Sequence, residues 1–256
     1  MSEKLSEKHP RYNSLSARYL LEDAQKKGLL AGTAMIAHGR GEAFDYLIGE
    51  ATTPSALVAT KYAATLLYSA KKPIISLNGN TAILCGDSLI RCAAIIGCAI
   101  EVNIFYRTNE RITKLTNLLR EKKKEISKEN SDIKNWSEKV DAVEILGENA
   151  DCKIENLQGP RSKCCCDGIH SADVVFVPLE DGDRCEALVG MAKNVIVVDL
   201  NPLSRSAQMA NVTIVDEITR VGKNLFEALV NQDKLQDTTS WNNMKNINRS
   251  LLWINE

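Results

Sequence analysis

The glycine-rich segment 37–50 (AHGRGEAFDYLIGE) suits anion binding, because it sets His38 and Arg40 among glycines. Glycines let backbone N–H groups approach a phosphate, and an arginine can hold a phosphate or carboxylate through two parallel hydrogen bonds. The segment lacks the Gly-Lys-Ser/Thr of a P-loop, and Phe44 replaces the third glycine of G-x-G-x-x-G. An ordinary turn between a strand and a helix is an equally good interpretation.

An acidic segment, 178–186 (PLEDGDRCE), places Glu180, Asp181, Asp183 and Glu186 within seven residues. Four close carboxylates repel one another unless a cation, an amine or sugar hydroxyls compensate. Mg²⁺ bound with the phosphates of a nucleotide is one solution, and a substrate ammonium is another. The alternative is a solvated turn that supplies acids to a helix N-terminus. Because the segment follows a predicted strand, a binding function is favoured.

Two further polar segments follow predicted strands. The pair Asn-Gly within 78–80 (NGN) is typical of tight turns, but the carboxyl end of a parallel strand is also where ligands bind. In segment 199–207 (DLNPLSRSA), Asp199 or Asn201 suits a ribose hydroxyl or an amine, and the Ser-Arg-Ser that follows suits an anion at a helix start. A capped turn set by Pro202 is the alternative interpretation.

Short apolar strands that alternate with helices must position these segments. Strands are expected at 33–37, 74–77, 101–105, 142–146, 173–178, 194–200 and 212–215. Helices are expected at 14–27, 54–70, 87–98, 109–124, 185–193 and 219–230. This alternation predicts a mainly parallel sheet in one three-layer α/β domain over residues 1–230, with a helical N-terminal segment. The parallel strands would bring the polar segments together along one sheet edge.

Two stretches break the alternation. The charged insert 121–139 is predicted to be either a protruding helix extension or a mobile surface loop. The polar C-terminal tail 231–256 ends in an apolar patch, Leu-Leu-Trp-Ile, at 251–254. It could dock on its own domain or on a second subunit.

Composition excludes several classes of protein. Of 256 residues, 44% are hydrophobic and 25% charged, which is typical of a globular chain. With 32 basic and 33 acidic residues and only 5% aromatics, no nucleic-acid partner is expected. No apolar run reaches the ~18 residues of a membrane span, and no signal core begins the chain, so a cytoplasmic protein with no membrane partner is expected.

The eight cysteines are expected to be thiols, as in a reducing cytosol. The run 164–166 (CCC) lacks the C-x₂₋₄-C spacing of structural zinc sites. No metal is therefore expected to be held by the protein alone.

Several blocks of the chain resemble the archaeal 4-phosphopantoate–β-alanine ligases, also called phosphopantothenate synthetases. The resemblance runs in order from about residue 8 to about residue 230, and departs from the family at the charged insert, the CCC run and the tail. The blocks are 9–18 (HPRYNSLSAR), 37–50, 76–80 (SLNGN), 101–111 (EVNIFYRTNER), 172–188 (ADVVFVPLEDGDRCEAL) and 198–216 (VDLNPLSRSAQMANVTIVD).

The resemblance implies a reaction and an assembly. ATP would drive amide formation between 4-phosphopantoate and β-alanine through an acyl-adenylate, with release of AMP and diphosphate. The product, 4′-phosphopantothenate, lies on the route to coenzyme A. The resemblance also implies a Rossmann-like fold and a homodimer.

Matching the family motifs gives candidate site residues. Those expected to bind ATP are Arg18, Arg40, Asp181, Gly182, Asp183, Arg184, Glu186, Asp199, Leu200 and Asn201. Those expected to bind the other substrates are Asn78, Asn80, Arg107, Arg161 and Arg205, with Arg111 a further phosphate candidate. Mg²⁺ would accompany ATP near Asp181 and Asp183. Arg40, His38 and Asp183 are the catalytic candidates, with His38 expected to donate a hydrogen bond rather than to transfer protons.

Two alternatives to the ligase stay open. A kinase or nucleotidyl transferase would use the same ATP site, but it would release ADP or leave a stable nucleotidyl product. A nucleotide- or coenzyme-A-sensing regulator would bind without turnover.

Overall fold

A computed structural model describes residues 6–231 and 241–255, in which six parallel strands form one sheet. They are β1 (Pro73–Leu77), β2 (Ala99–Val102), β3 (Ile145–Leu146), β6 (Val174–Pro178), β7 (Asn194–Val198) and β8 (Val212–Ile214). Two short strands between β3 and β6 pair with each other as an antiparallel hairpin: β4 (Cys152–Lys153) and β5 (Lys163–Cys164). The predicted α/β fold with a mainly parallel, Rossmann-like sheet is confirmed.

Strand composition explains why both faces of this sheet are covered. Alternate side chains of a strand point to opposite faces. Ile75 and Phe176 accordingly enter the main core, whereas their neighbours Ile74 and Val175 enter a second core on the other face. Because both faces are apolar, the strands show continuous hydrophobic runs instead of alternation.

Ten helices surround the sheet within the described residues. They are α1 (Tyr12–Lys26), α2 (Ala34–Leu47), α3 (Pro54–Ser69), α4 (Gly79–Ile96), α5 (Asn109–Ile126), α6 (Trp136–Asp141), α7 (Gly182–Gly190), α8 (Arg205–Met209), α9 (Ile218–Val230) and α10 (Asn243–Asn255). Helices α3, α4, α5, α6 and α9 close the main core, and α7 packs on the second core. Helices α1 and α2 pack on α4 around a small third cluster that includes Leu21, Ala24 and Leu30.

By length and composition alone, α4 could cross a membrane, and it is the one helix of the described residues for which this is so. More than half of it (56%) is buried inside the protein.

The strand order is β3-β2-β1-β6-β7-β8, so the direction in which successive strands are added to the sheet reverses between β1 and β6. The chain builds outward from β1 to β3, returns to the centre, and then builds outward from β6 to β8. Open α/β sheets bind ligands in the crevice at such a reversal, outside the carboxyl ends of the strands. The loops after β1 and β6 therefore mark the expected site.

The predicted strand at 33–37 was wrong, because these residues lead into and begin helix α2. A run as short as these five residues, of which four are apolar, cannot separate helix from strand by its period. Its packing decides, since this part of the chain lies against α1 and α4 and not beside a strand. Gly39, Arg40 and Gly41 are consequently helical, and segment 37–50 is not a loop at a strand end.

Other element boundaries also differ from those expected. The strand predicted at 142–146 shortens to β3 because α6 extends to Asp141. The helix predicted at 87–98 begins instead at Gly79 as α4, because the side chain of Asn78 accepts a hydrogen bond from Thr81 N (3.0 Å) and caps it.

The charged insert 121–139 neither protrudes nor forms a long loop. It continues α5 to Ile126 and then turns into α6. Trp136 is 6% exposed, and its indole N–H donates to Ile126 O at 3.0 Å. One buried indole thus fastens a mostly polar segment to the main core.

The described part of the tail docks on its own domain. The Ser250 hydroxyl lies 3.0 Å from that of Ser55, and Asn243 Oδ1 accepts a hydrogen bond from Thr213 N at 2.7 Å. Trp253 of the apolar patch faces outward and is 42% exposed. Residues 232–240 and 256 of the predicted tail lie outside the described residues.

The expectation that all eight cysteines are thiols was wrong. Cys152 and Cys166 form a disulfide that encloses the β4–β5 hairpin, whose turn carries Arg161. The other six are free and buried. Burial raises the pKa of Cys85, for example, to about 12, which leaves it unreactive at neutral pH.

Removing this disulfide should destabilise the protein. Closing a 15-residue loop is worth about 3 kcal/mol in the chain-entropy account, so the double variant C152S/C166S should lose about that much free energy of unfolding. Thermal melting of the air-oxidised protein with and without dithiothreitol measures the effect. The reductant should lower the Tm of the parent protein and leave that of the double variant unchanged. An equal Tm for the parent in both conditions would contradict a stabilising bridge.

Candidate active site

A cleft of about 740 Å³ opens at the carboxyl end of the sheet, beside the β1/β6 reversal. Helices α1 and α2 form one wall, and the loops after β1, β2, β6, β7 and β8 contribute much of the rest together with α9 and the turn of the β4–β5 hairpin. This volume is within the range of small-molecule sites, about 300–1,000 Å³. The predicted gathering of strand-end segments at one edge is what builds the cleft.

Asn78 ties together the two central strands. Besides capping α4, its side-chain amide donates to Leu179 O at 2.9 Å and to Pro178 O at 3.3 Å. Leu179 has a positive φ of 55°, a conformation that only a well-supported turn tolerates. Both polar atoms of Asn78 are therefore used by the fold, which positions the cleft floor.

Asn80 lies one step further into α4 and is only 8% exposed. Its amide donates to Ala34 O in the first turn of α2, at 3.0 Å. Its Oδ1 is buried and finds no hydrogen-bond partner in the part of the chain that the structure describes, although Asn80 lines the cleft. A bound ligand could supply the donor that this oxygen lacks.

A chain of buried ion pairs orients Arg161 at the cleft. Arg184, which is 1% exposed, pairs with the fully buried carboxylate of Glu180 and donates to Ser76 Oγ at 3.1 Å. Arg161 donates to the same Glu180 at 3.0 Å and to Asp181 at 2.7 Å. Arg184 is consequently sealed beneath the site, and the structure does not bring this predicted ATP residue to the cleft surface.

Arg18 is also held by a carboxylate. Its guanidinium donates to Glu42 at 3.0 Å and so joins α1 to α2, and Ser14 donates to the same carboxylate. Burial raises the pKa of Glu42, but the hydrogen bonds from Arg18 and Ser14 outweigh it and bring that pKa below its usual value. Glu42 lines the cleft, whereas Arg18 supports it from behind.

Arg40 is the predicted cation that remains available. It lines the cleft from α2, is exposed, and forms no hydrogen bond or ion pair with any residue in the described ranges 6–231 and 241–255. Lys223 of α9 also lines the cleft, and it too forms no hydrogen bond or ion pair with a residue in those ranges. Two cations in one cleft that find no partner in the described part of the chain suit phosphate or carboxylate groups.

The turn after β7 is closed by its own polar groups. Asp199 accepts hydrogen bonds from Asn201 N (2.9 Å) and from Ser204 Oγ, and Asn201 Oδ1 accepts from Leu203 N at 3.0 Å. Burial raises the pKa of Asp199. Of this predicted segment, Leu200 is the residue that lines the cleft.

Of the remaining predicted residues, Arg111 lines the cleft and the others lie beside it. Gly182 and Asp183 begin α7, and an exposed ion pair joins Glu186 to Arg205. Arg107 donates to Gly147 O. The guanidinium of Arg111 donates to Tyr106 O.

Several cleft residues were not predicted. Arg220 donates to Asp216 at 2.7 Å and to Asp45 at 3.1 Å, and so fastens α9 to α2 across the cleft. Phe105 and Tyr106 present half-exposed aromatic rings from the loop after β2. Only 5% of the residues in this sequence are aromatic. The adjacent Phe and Tyr in the polar block 101–111 were therefore the sequence signal that could have identified Phe105 and Tyr106 as cleft residues.

Comparison with known proteins gives one consistent result. Residues 55–255 match the family model described as phosphopantothenate/pantothenate synthetase. The chain is 43% identical over 237 residues (92% of this chain, 89% of the relative) to a protein of Methanospirillum hungatei named 4-phosphopantoate–β-alanine ligase. Proteins of the same name are 41% identical in Methanosarcina mazei (97% and 93% covered) and 46% identical in Thermococcus kodakarensis (86% and 77% covered). The resemblance first drawn from separate blocks thus extends over most of the chain.

Proposed function

The chain belongs to the phosphopantothenate/pantothenate synthetase family, and we propose that it is an ATP-dependent ligase of 4-phosphopantoate and β-alanine. The product would be 4′-phosphopantothenate, formed through an acyl-adenylate with release of AMP and diphosphate, as a step of coenzyme A biosynthesis. The carrying observation is identity of 41–46% with relatives of this one name across 86–97% of the chain.

The charges of the cleft support this proposal. The reaction must hold a triphosphate, a phosphorylated acid and an amine together, and positioning and charge neutralisation supply most of the rate in such chemistry. Arg40 and Lys223 have no partner among the described residues and can neutralise phosphate oxygens, while Arg161 is fixed in place by Glu180 and Asp181. Two aromatic rings at the rim, Phe105 and Tyr106, offer stacking surface for a base.

Mg²⁺ remains part of the proposal as a companion of the nucleotide. The described residues bring no group of three or more His, Cys, Asp or Glu side chains together as metal ligands. The chain therefore fits an ion carried by the nucleotide phosphates, with Asp181 and Asp183 as the protein groups expected nearest. The Mg²⁺ ion would neutralise negative charge on the phosphates.

We also propose that the protein is a homodimer and that it is located in the cytoplasm. On α1 and α2, the large apolar side chains of Tyr19, Leu20, Ile36 and Leu47 are 52–64% exposed. Exposed apolar side chains of this size on two neighbouring helices support association with a second copy.

The proposed function is tested by incubating the purified protein with ATP, Mg²⁺, 4-phosphopantoate and β-alanine, followed by mass spectrometry. We expect AMP and 4′-phosphopantothenate in equal amounts, with both products lost when either organic substrate is omitted. ADP in place of AMP would establish a kinase. ATP binding without turnover would favour the sensor.

A further inference from the structure

Within the described residues, four buried polar side-chain atoms on cleft-lining residues have no hydrogen-bond partner, and two of them can act as acceptors. The other two are the guanidinium Nε atoms of Arg111 and Arg161, which can only donate. The two acceptors are Oδ1 of Asn80 and Nε2 of His38. Leaving a buried acceptor unsatisfied costs about 1–3 kcal/mol, so such atoms in a native structure call for an explanation. A ligand that brings N–H donors would satisfy both.

The fold places these two atoms on neighbouring elements. Asn80 donates to Ala34 O, and Ala34 precedes His38 by one helical turn of α2. The first turn of α4 packs closely against Leu30 at this point, since a Cβ on Gly79 would lie only 2.6 Å from the Leu30 side chain. The amide and the imidazole therefore belong to one corner of the cleft, between α4 and α2.

Most carboxylates of the cleft are already bound by donors. Glu42 is held by Arg18, Asp45 by Arg220, Asp181 by Arg161, and Glu217 by Thr219. Glu50, exposed at the cleft, is the exception among the described lining residues. The corner of Asn80 and His38 thus offers neutral acceptors.

We propose that the amine of β-alanine binds in this corner against Asn80 Oδ1, and that His38 Nε2 removes its proton. The inference rests on the proposed function and assigns His38 the proton transfer that was not expected of it. His38 is partly exposed to the cleft, so rotation of its side chain would present Nε2 to the amine.

The proton and bond changes balance as follows. The ammonium of β-alanine gives one proton to His38, and the resulting amine forms a C–N bond with the acyl carbon. The bond between that carbon and the phosphate oxygen breaks, and AMP leaves with the electron pair. The second nitrogen proton goes to water as the amide forms, and the imidazolium then returns its proton to solvent.

Neutral acceptors suit an amine that must react. A carboxylate partner would stabilise the ammonium and raise its pKa, whereas an amide oxygen and a neutral imidazole leave the free amine accessible. Burial lowers the pKa of His38, Glu42 of the same helix raises it, and Arg18 of α1 lowers it further. The first turn of α4, the other element at this corner, is uncharged. The net shift is downward, so the ring stays neutral and able to accept a proton at neutral pH.

The decisive experiment separates the two halves of the reaction in the variant His38→Gln. Exchange of labelled diphosphate into ATP, with 4-phosphopantoate and without β-alanine, should stay within twofold of the parent. Amide formation should fall about 100-fold, the lower range for loss of a general base. Hydroxylamine, an amine largely unprotonated at neutral pH, should form the hydroxamate at the parental rate. The matched control His170→Gln, outside the cleft lining, should leave all three rates unchanged.

A second variant and a pH profile complete the test. Asn80→Ala should raise the KM for β-alanine about tenfold and leave diphosphate exchange unchanged, as expected for loss of one hydrogen bond of about 1.4 kcal/mol. The acidic limb of parental amide formation should lie below the ~6.5 of an ordinary histidine and vanish in His38→Gln. Exchange falling in parallel with amide formation, or unchanged amide formation, would overturn the inference. Absence of both activities in the parent would instead refute the proposed function.

Discussion

Arg40→Ala should lower kcat/KM for amide formation about 10²- to 10³-fold, the range measured when one preorganised stabilising group is removed from an active site. The protein should nevertheless remain as stable as its parent within about 0.5 kcal/mol. Arg40 is exposed and bonds to no residue in the described ranges, so the fold loses nothing with it. Steady-state kinetics with each substrate varied, together with urea unfolding, measures both quantities.

Two further variants make this result interpretable. Arg40→Lys keeps the charge but loses the two-pronged hydrogen bonding, so its activity should fall between those of the parent and the alanine variant. Arg249→Ala removes an exposed arginine of α10 that does not line the cleft, and should leave kcat/KM unchanged. Activity of Arg40→Ala within threefold of the parent would remove Arg40 from the site.

Glu180→Ala should lower the free energy of unfolding by about 3–5 kcal/mol, the cost of removing one partner of a buried ion pair. The Glu180 side chain has no exposed surface and lies between Arg161 and Arg184. Without it, Arg184 would keep a buried positive charge whose remaining side-chain hydrogen bond is to the neutral Ser76. Urea unfolding followed by circular dichroism gives the loss directly.

The control for Glu180→Ala lies close by in sequence. Glu186→Ala also removes a glutamate from an ion pair with arginine, but that pair is exposed, with side chains 50% and 62% accessible. Exposed pairs contribute about 0–1 kcal/mol, so this variant should unfold near the parental midpoint. Equal losses in the two glutamate variants would show that burial does not set the strength of the Glu180 pairs.

The difference between Arg184 and Arg40 illustrates how far the site could be predicted. Both arginines stand in polar segments that resemble the same family, and both were expected at ATP. Arg184 lies in the first turn of α7. It points into the protein because it pairs with the buried Glu180, four residues before it in the chain. Arg40 points into the cleft from a helix that had been expected to be a loop. Residue type and position in a motif were alike, and burial separated them.

The sequence by itself determined the alternation of strands and helices, the parallel sheet and the family. These depend on local signals, since short, largely apolar runs that contain β-branched residues and are bounded by polar turns are visible within a short window. It also determined that polar segments would meet at one sheet edge, because parallel strands share their carboxyl ends.

Only the tertiary structure decided which charged groups are available to a ligand. The pairs that engage them are distant in sequence: Arg18 with Glu42 is separated by 24 residues, and Arg220 with Asp45 by 175. It also decided that residues 34–47 form a helix, through packing on α1 and α4 that no local period encodes. A guanidinium is free or engaged according to the carboxylates that folding brings to it, and that information lies in contacts between distant parts of the chain.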